Sequence, residues 1–202
     1  MPGGRGSSGE GAEPSVFSGC RNVALVATLS ASCALAQEAE KRLLRDALAL
    51  LPPELSFPLD SRHLVVIHDY ERFSRGSPEL RERPDLREAG RHKFGFVLNL
   101  SWPIYLNFDG YEHLISRYEN PEDKWIASLV ASVLVHEQVH AKGDGRESSA
   151  LLEELLIDRR FARQRRLPRD ANLRALAEQY LTALETERGL VNGEAIAHTS
   201  WK

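Results

Sequence analysis

From Trp125 to Val135 the chain reads WIASLVASVLV, without a charged residue, and it runs unbroken into His136-Glu137-Gln138-Val139-His140. A helix that is apolar on every side is buried on every side. Burying two imidazoles and a carboxylate at its end is costly unless they find partners, so any fold of this chain must bring a cation or hydrogen-bonding groups to that corner. Gly143 and Gly145 follow within a few residues. They can end the helix and reverse the chain, because glycine enters the left-handed region without strain. The pattern therefore predicts one helix over Asp123 to His140, a reversal, and a second helix over Glu147 to Phe161.

The remaining elements are read from periodicity. Ala39, Leu43, Leu44, Ala47, Leu48 and Leu51 recur at helical spacing until Pro52-Pro53 stops them. The short β-branched run His63 to Asp69 suits a buried strand, and the Pro- and Arg-rich segment Ser74 to Arg91 reads as a surface loop or short helix. Phe94 to Gly110 is extended, interrupted at Trp102-Pro103. Proline cannot donate to a ladder, so Pro103 places the second half at the edge of a sheet. Leu173 to Glu187 makes a final helix before Gly189. A helix, a small sheet and then a helix pair make an α+β domain.

The chain of 202 residues suffices for one domain, expected over residues 37–202. Its 27% charged residues, 42% hydrophobic residues and net charge of -3 exclude a nucleic-acid face and a multi-spanning protein. The basic run Arg159, Arg160, Arg163, Arg165 and Arg166 reads as a solvated helix face. Residues 1–36 are expected to lie outside the domain, the first nineteen as a disordered Gly, Ser and Pro-rich tail. Val23 to Ala36 is uncharged, follows Arg21 and ends in Ala34-Leu35-Ala36, the form of a secretory signal and its cleavage site. It is too short for a stable membrane span. Export to the periplasm or medium is the expectation; the competing reading makes this stretch the start of a structural helix in a cytoplasmic protein. Cys20 and Cys33 are the only cysteines, so a metal must be held by His and carboxylate.

Residues four apart stand on one helix face, so His136 and His140 can share an ion at about 2.0 Å from each nitrogen. Glu137 beside them can act on a water at that ion, whose pKa zinc lowers towards about 7. The sequence thus orders ligand, base, two spacers and ligand. The five other histidines, His63, His68, His92, His113 and His198, have no partner at ligand spacing and read as structural.

HEQVH with a glutamate on a following helix resembles the zincin metallopeptidases, in the gluzincin branch and the short bacterial form HExxHxxGxxxExxA. The likeness covers Trp125 to Phe161. The metzincin branch is excluded, since its third ligand would fall at Arg146. The resemblance implies a small zincin-like domain with an edge strand, an active-site helix and a glutamate helix. It implies one Zn²⁺ on His136, His140 and a downstream glutamate, and peptide-bond hydrolysis with Glu137 as general base and acid.

Glu147 is the preferred third ligand, because it sits in the first turn after the reversal and is followed by the small residues Ser148, Ser149 and Ala150. Glu154 is the alternative. Glu147, Glu154 and Asp158 form an acidic stripe between an apolar arc of Leu151, Leu152, Leu155 and Leu156 and a second of Ala150, Ile157 and Phe161, while Glu153 projects to the charged face. With Glu147 on the metal, Glu154 or Asp158 would accept the second ring N–H of a ligand histidine. In zincins an extended substrate lies along the edge strand, here Ile104 to Phe108 with Tyr105 and Asn107 alternating between them, held by backbone pairing; an edge strand that only packs is the equal alternative. The other function weighed is an exported or envelope protein whose metal is structural or vestigial and whose work is binding a partner. Metal-dependent hydrolysis of a non-peptide amide is the third.

Overall fold

The computed structural model describes residues 20–168 and 171–191. The tail of the first nineteen residues and His198 lie outside them. The chain divides into two units, Met1–Gln37 and Glu38–Lys202. Helix α1 (Cys20–Leu50) gives the apolar stretch a helical backbone continuous with the amphipathic segment. No helix among the described residues is long and apolar enough to cross a membrane.

The second unit is α+β. Ala39, Leu43, Leu44, Ala47, Leu48 and Leu51 are all buried, as their spacing predicts. Strand β1 (Leu64–Ile67) follows, and then three short helices, α2 (Tyr70–Gly76), α3 (Pro78–Glu82) and α4 (Pro84–Arg91). The segment is helical in pieces because proline restarts it. Pro78 and Pro84 occupy first turns, where a missing N–H costs nothing, and the side chains of Asp69 and Ser77 cap the backbone of α2 and α3.

Strands β2 (Gly95–Leu98) and β3 (Ser101–Asn107) form a hairpin through Asn99 and Leu100, both at positive φ, 55° and 50°. The sheet order is β1-β3-β2, with β1 parallel and β2 antiparallel to β3. Here the sequence reading is corrected: the strand holding Pro103 is central, not at the edge. Its ladder with β1 begins at Ile104, and its ladder with β2 jumps from the Val97–Ile104 pair to the Leu98–Ser101 pair, so Pro103 falls in an irregularity where neither neighbour needs its N–H. Tyr105 packs against Phe73 and Phe96, and Asn107 is fully buried, its amide donating to the Arg91 carbonyl at 3.3 Å. Of the two residues expected along the substrate strand, Asn107 is therefore interior and Tyr105 is half-buried among aromatic rings.

After β3 come α5 (Glu112–Tyr118), which the sequence pattern did not predict, and a 3-10 turn at Pro121–Asp123. The long helices are α6 (Ile126–Ala141), α7 (Glu147–Arg163) and α8 (Leu173–Val191). One sheet face packs on α1 and α6 through Leu64, Ile104, Leu106 and Phe108, and the other covers a smaller cluster of Ile67, Tyr70, Leu80 and Phe96 beneath α2 to α4. The apolar arc expected along α7 is only half used: Leu151 is buried, but Leu152 and Leu156 are 37% and 51% exposed.

Candidate metal centre

Helix α6 is buried as its composition demands, with Ile126, Val130, Ala131, Leu134 and Val135 almost wholly inaccessible. Its end turns at Gly143, where φ is 94° and the Gly143 N–H donates to the His140 carbonyl at 2.9 Å. The first turn of α7 returns beside the two histidines. Its Ser148 and Ala150 are buried, which lets the helices approach closely. Arg146 supplies no side-chain cap to α7. Glu187 of α8 fills that role instead, accepting from the Ser148 N–H at 3.0 Å and the Ser148 hydroxyl at 2.5 Å. A carboxylate at a helix N-terminus satisfies orphan donors and the dipole together. Here it fixes the turn that carries Glu147.

His136 Nε2 lies 3.4 Å from Glu147 Oε1, and His140 Nε2 lies 3.4 Å from Glu147 Oε2. A ligand atom from each of the three residues falls within 4.8 Å of the others, which is the spacing an ion between them requires. No other such trio occurs among the described residues. The other ring nitrogens are engaged elsewhere. His140 Nδ1 is 2.8 Å from the Asp144 carbonyl, and His136 Nδ1 is 2.9 Å from Glu154 Oε2. A carbonyl only accepts, so His140 carries its proton on Nδ1 and, when neutral, turns the Nε2 lone pair towards Glu147. With Glu154 Oε2 as the acceptor, His136 likewise carries its proton on Nδ1.

The alternative third ligand is thus occupied with the back of His136, while Glu147 faces both Nε2 atoms. Asp158, offered with Glu154 as a support for a histidine, instead accepts from the Ser132 hydroxyl. Burial pushes its pKa up to about 6 against the lowering effect of that hydrogen bond, with the Glu154 charge adding to the rise.

Electrostatics separate the two glutamates. Hydrogen bonding to His140 holds the Glu147 pKa below the usual carboxylate range, against a desolvation cost, with the charges of His136, His140 and Lys93 assisting. Burial drives the Glu137 pKa above that range, and the neighbouring His136, His140 and Lys93 charges only partly offset it. Burial disfavours charge on His140 too, but its contacts with Glu147 and the Asp144 carbonyl outweigh this and raise its pKa. One carboxylate therefore favours its ionised form, and the other holds a proton more readily.

Glu137, His140 and Glu147 open onto a cleft of about 590 Å³ that runs along β2 and the hairpin to α3 and α4. Strand β2 forms the sheet edge here. It presses directly on α6: a Cβ at Gly95 would overlap Val133 and sit 3.1 Å from Glu137 Cγ. The lone glycine inside an aromatic and aliphatic run was the available signal for this approach. Lys93 also lines the cleft and, like the Glu187 cap, had no marker in the sequence. His63, His68 and His92 make ordinary pairs with Asp60, Glu40 and Glu88.

No protein-family model, curated protein or solved structure matches the chain.

Proposed function

We propose that the protein is a zinc metallopeptidase of the zincin type, hydrolysing peptide bonds in extended segments. The observation that carries this reading is the convergence of both Nε2 atoms and both Glu147 oxygens, with each Nδ1 held from behind. The donor set fits: two imidazoles and one carboxylate, all acceptors when the rings are neutral, leave no hydrogen among them, and a divalent cation satisfies all three. Zinc is the metal this set favours, and when bound it supplies a Lewis acid for the scissile carbonyl and makes water acidic enough to attack near neutral pH.

The chain's own residues do the rest. Glu137, buried beside that point, takes the proton of the attacking water and delivers it to the leaving amine. The open edge of β2, rather than β3, offers backbone donors and acceptors to an extended substrate. Its proximity to α6 through Gly95 brings a paired segment over Glu137. The segment 23–36 carries the accompanying proposal of export, checked by whether protein recovered from the envelope or medium starts at Gln37.

The test is elemental analysis of the purified chain, then incubation with unfolded casein with and without chelator. The reading predicts one zinc per chain and chelator-sensitive cleavage, with Glu137→Gln keeping zinc and losing turnover. Zinc without cleavage in any of these reactions would favour a structural metal in a binding protein.

A further inference from the structure

Resting on the peptidase reading, we propose that the Lys93 ammonium is the second electrophile of the site, donating a hydrogen bond to the scissile carbonyl oxygen as negative charge develops there. Lys93 lines the cleft together with Glu137, His140 and Glu147. Two residues on, Gly95 lies against Val133 and Glu137, so the connector that carries Lys93 runs beside the end of α6. The lysine charge is felt by both Glu137 and Glu147 across that shared cleft.

The connector bearing Lys93 is irregular, yet it is tied down at every residue. The Arg91 carbonyl accepts from the buried Asn107 amide at 3.3 Å, and the His92 carbonyl accepts from the Tyr111 hydroxyl at 3.2 Å. The Lys93 N–H donates to the Gly90 carbonyl at 3.3 Å, and the Phe94 ring packs against Phe108 and Tyr111 with centroids 5.1 Å away. A donor for a transition-state charge must be placed before the charge appears, and this anchoring holds the backbone from which the ammonium reaches into the cleft.

In the addition step the water oxygen bonds to the carbonyl carbon, and the π pair moves onto the carbonyl oxygen. Glu137 takes the water proton, while Lys93 keeps its own and only donates a hydrogen bond. On collapse the pair returns, the carbon–nitrogen bond breaks, and the Glu137 proton goes to the leaving nitrogen.

Lys93→Met and Lys93→Arg in the full chain test this with three readouts. These are zinc content, kcat and KM on casein, and calorimetric affinity for a phosphinic analogue of Phe-Leu-Ala with a phosphinate in place of the Phe–Leu amide. The proposal expects Lys93→Met to keep one zinc per chain and a KM within about two-fold, while kcat falls by about 100-fold or more, the range for losing one such donor. Phosphinate affinity should fall by a similar factor, and Lys93→Arg should restore most of both. Unchanged kcat, unchanged phosphinate affinity or loss of zinc in Lys93→Met overturns it. A zinc-loaded wild type that cleaves nothing overturns the peptidase reading instead, and this proposal with it.

Discussion

The two walls of the cleft are built by different means. The helical wall, α6 and α7 with the Gly143 reversal, gathers His136, His140 and Glu147 from a span of residues short enough for one turn to bring them together. The sheet wall, β2 with Lys93 and Gly95, reaches the same place only because a hairpin and a crossover put β2 at the edge nearest α6. Local chemistry makes the first wall, and non-local pairing makes the second. Damage to the first should therefore abolish function outright, and damage to the second should degrade it.

Glu137→Gln is expected to have the largest effect, a fall in kcat on the order of 10² to 10⁴-fold with zinc retained, measured by casein cleavage and elemental analysis. Retained turnover would remove Glu137 from the chemistry. Gly95→Ala sharpens the contrast. The new methyl overlaps Val133 and crowds Glu137 Cγ, so stability should fall by about 1–3 kcal/mol in urea titration, and kcat should drop while zinc stays bound. Adding Val133→Ala should recover stability more than kcat, because the contact with Glu137 persists.

The cap between α8 and α7 gives a smaller effect. Glu187→Gln removes a charged acceptor from the Ser148 N–H and hydroxyl, at a cost of about 0.5–2 kcal/mol by thermal melting, with weaker zinc binding as the first turn of α7 loosens. The smallest concerns Asp158. Its folded pKa, about 6, is raised above the ordinary value, so its contribution to stability is full below about pH 4 and is lost as pH rises through about 6. Asp158→Asn should flatten that slope and stabilise the protein at pH 7 by on the order of 1 kcal/mol after discounting for partial exposure. A slope that persists in the variant would assign the titration to another group.

The same division explains what could be read in the sequence. The trio His136, His140 and Glu147 was legible because helix periodicity, an uncharged flank and two glycines are local signals. Glu154 lies on the expected stripe, but its contact with His136 Nδ1 rather than with the Nε2 atoms is set by the packing of α7 on α6, which periodicity does not give. Asp158 shared that stripe and went to Ser132, a partner on α6 that helical geometry alone does not choose. The sheet failed at Pro103. The rule that proline avoids central ladders holds, but it was applied to the whole strand, whereas the β2 irregularity and the late start of the β1 ladder excuse that one residue. Leu152 and Leu156 followed the apolar pattern of α7 and are nonetheless exposed, because no neighbouring element among the described residues covers that side. Lys93 left no trace, since a lysine before a strand is unremarkable until the fold brings it to the cleft.

The most direct test of the central claim is zinc retention after equilibrium dialysis of wild type, Glu147→Ala and Glu154→Gln, read by elemental analysis. One zinc per wild-type chain is expected, with Glu147→Ala losing it and Glu154→Gln keeping it at an affinity weakened by about 10 to 100-fold. Tight binding of one zinc by Glu147→Ala would contradict the account.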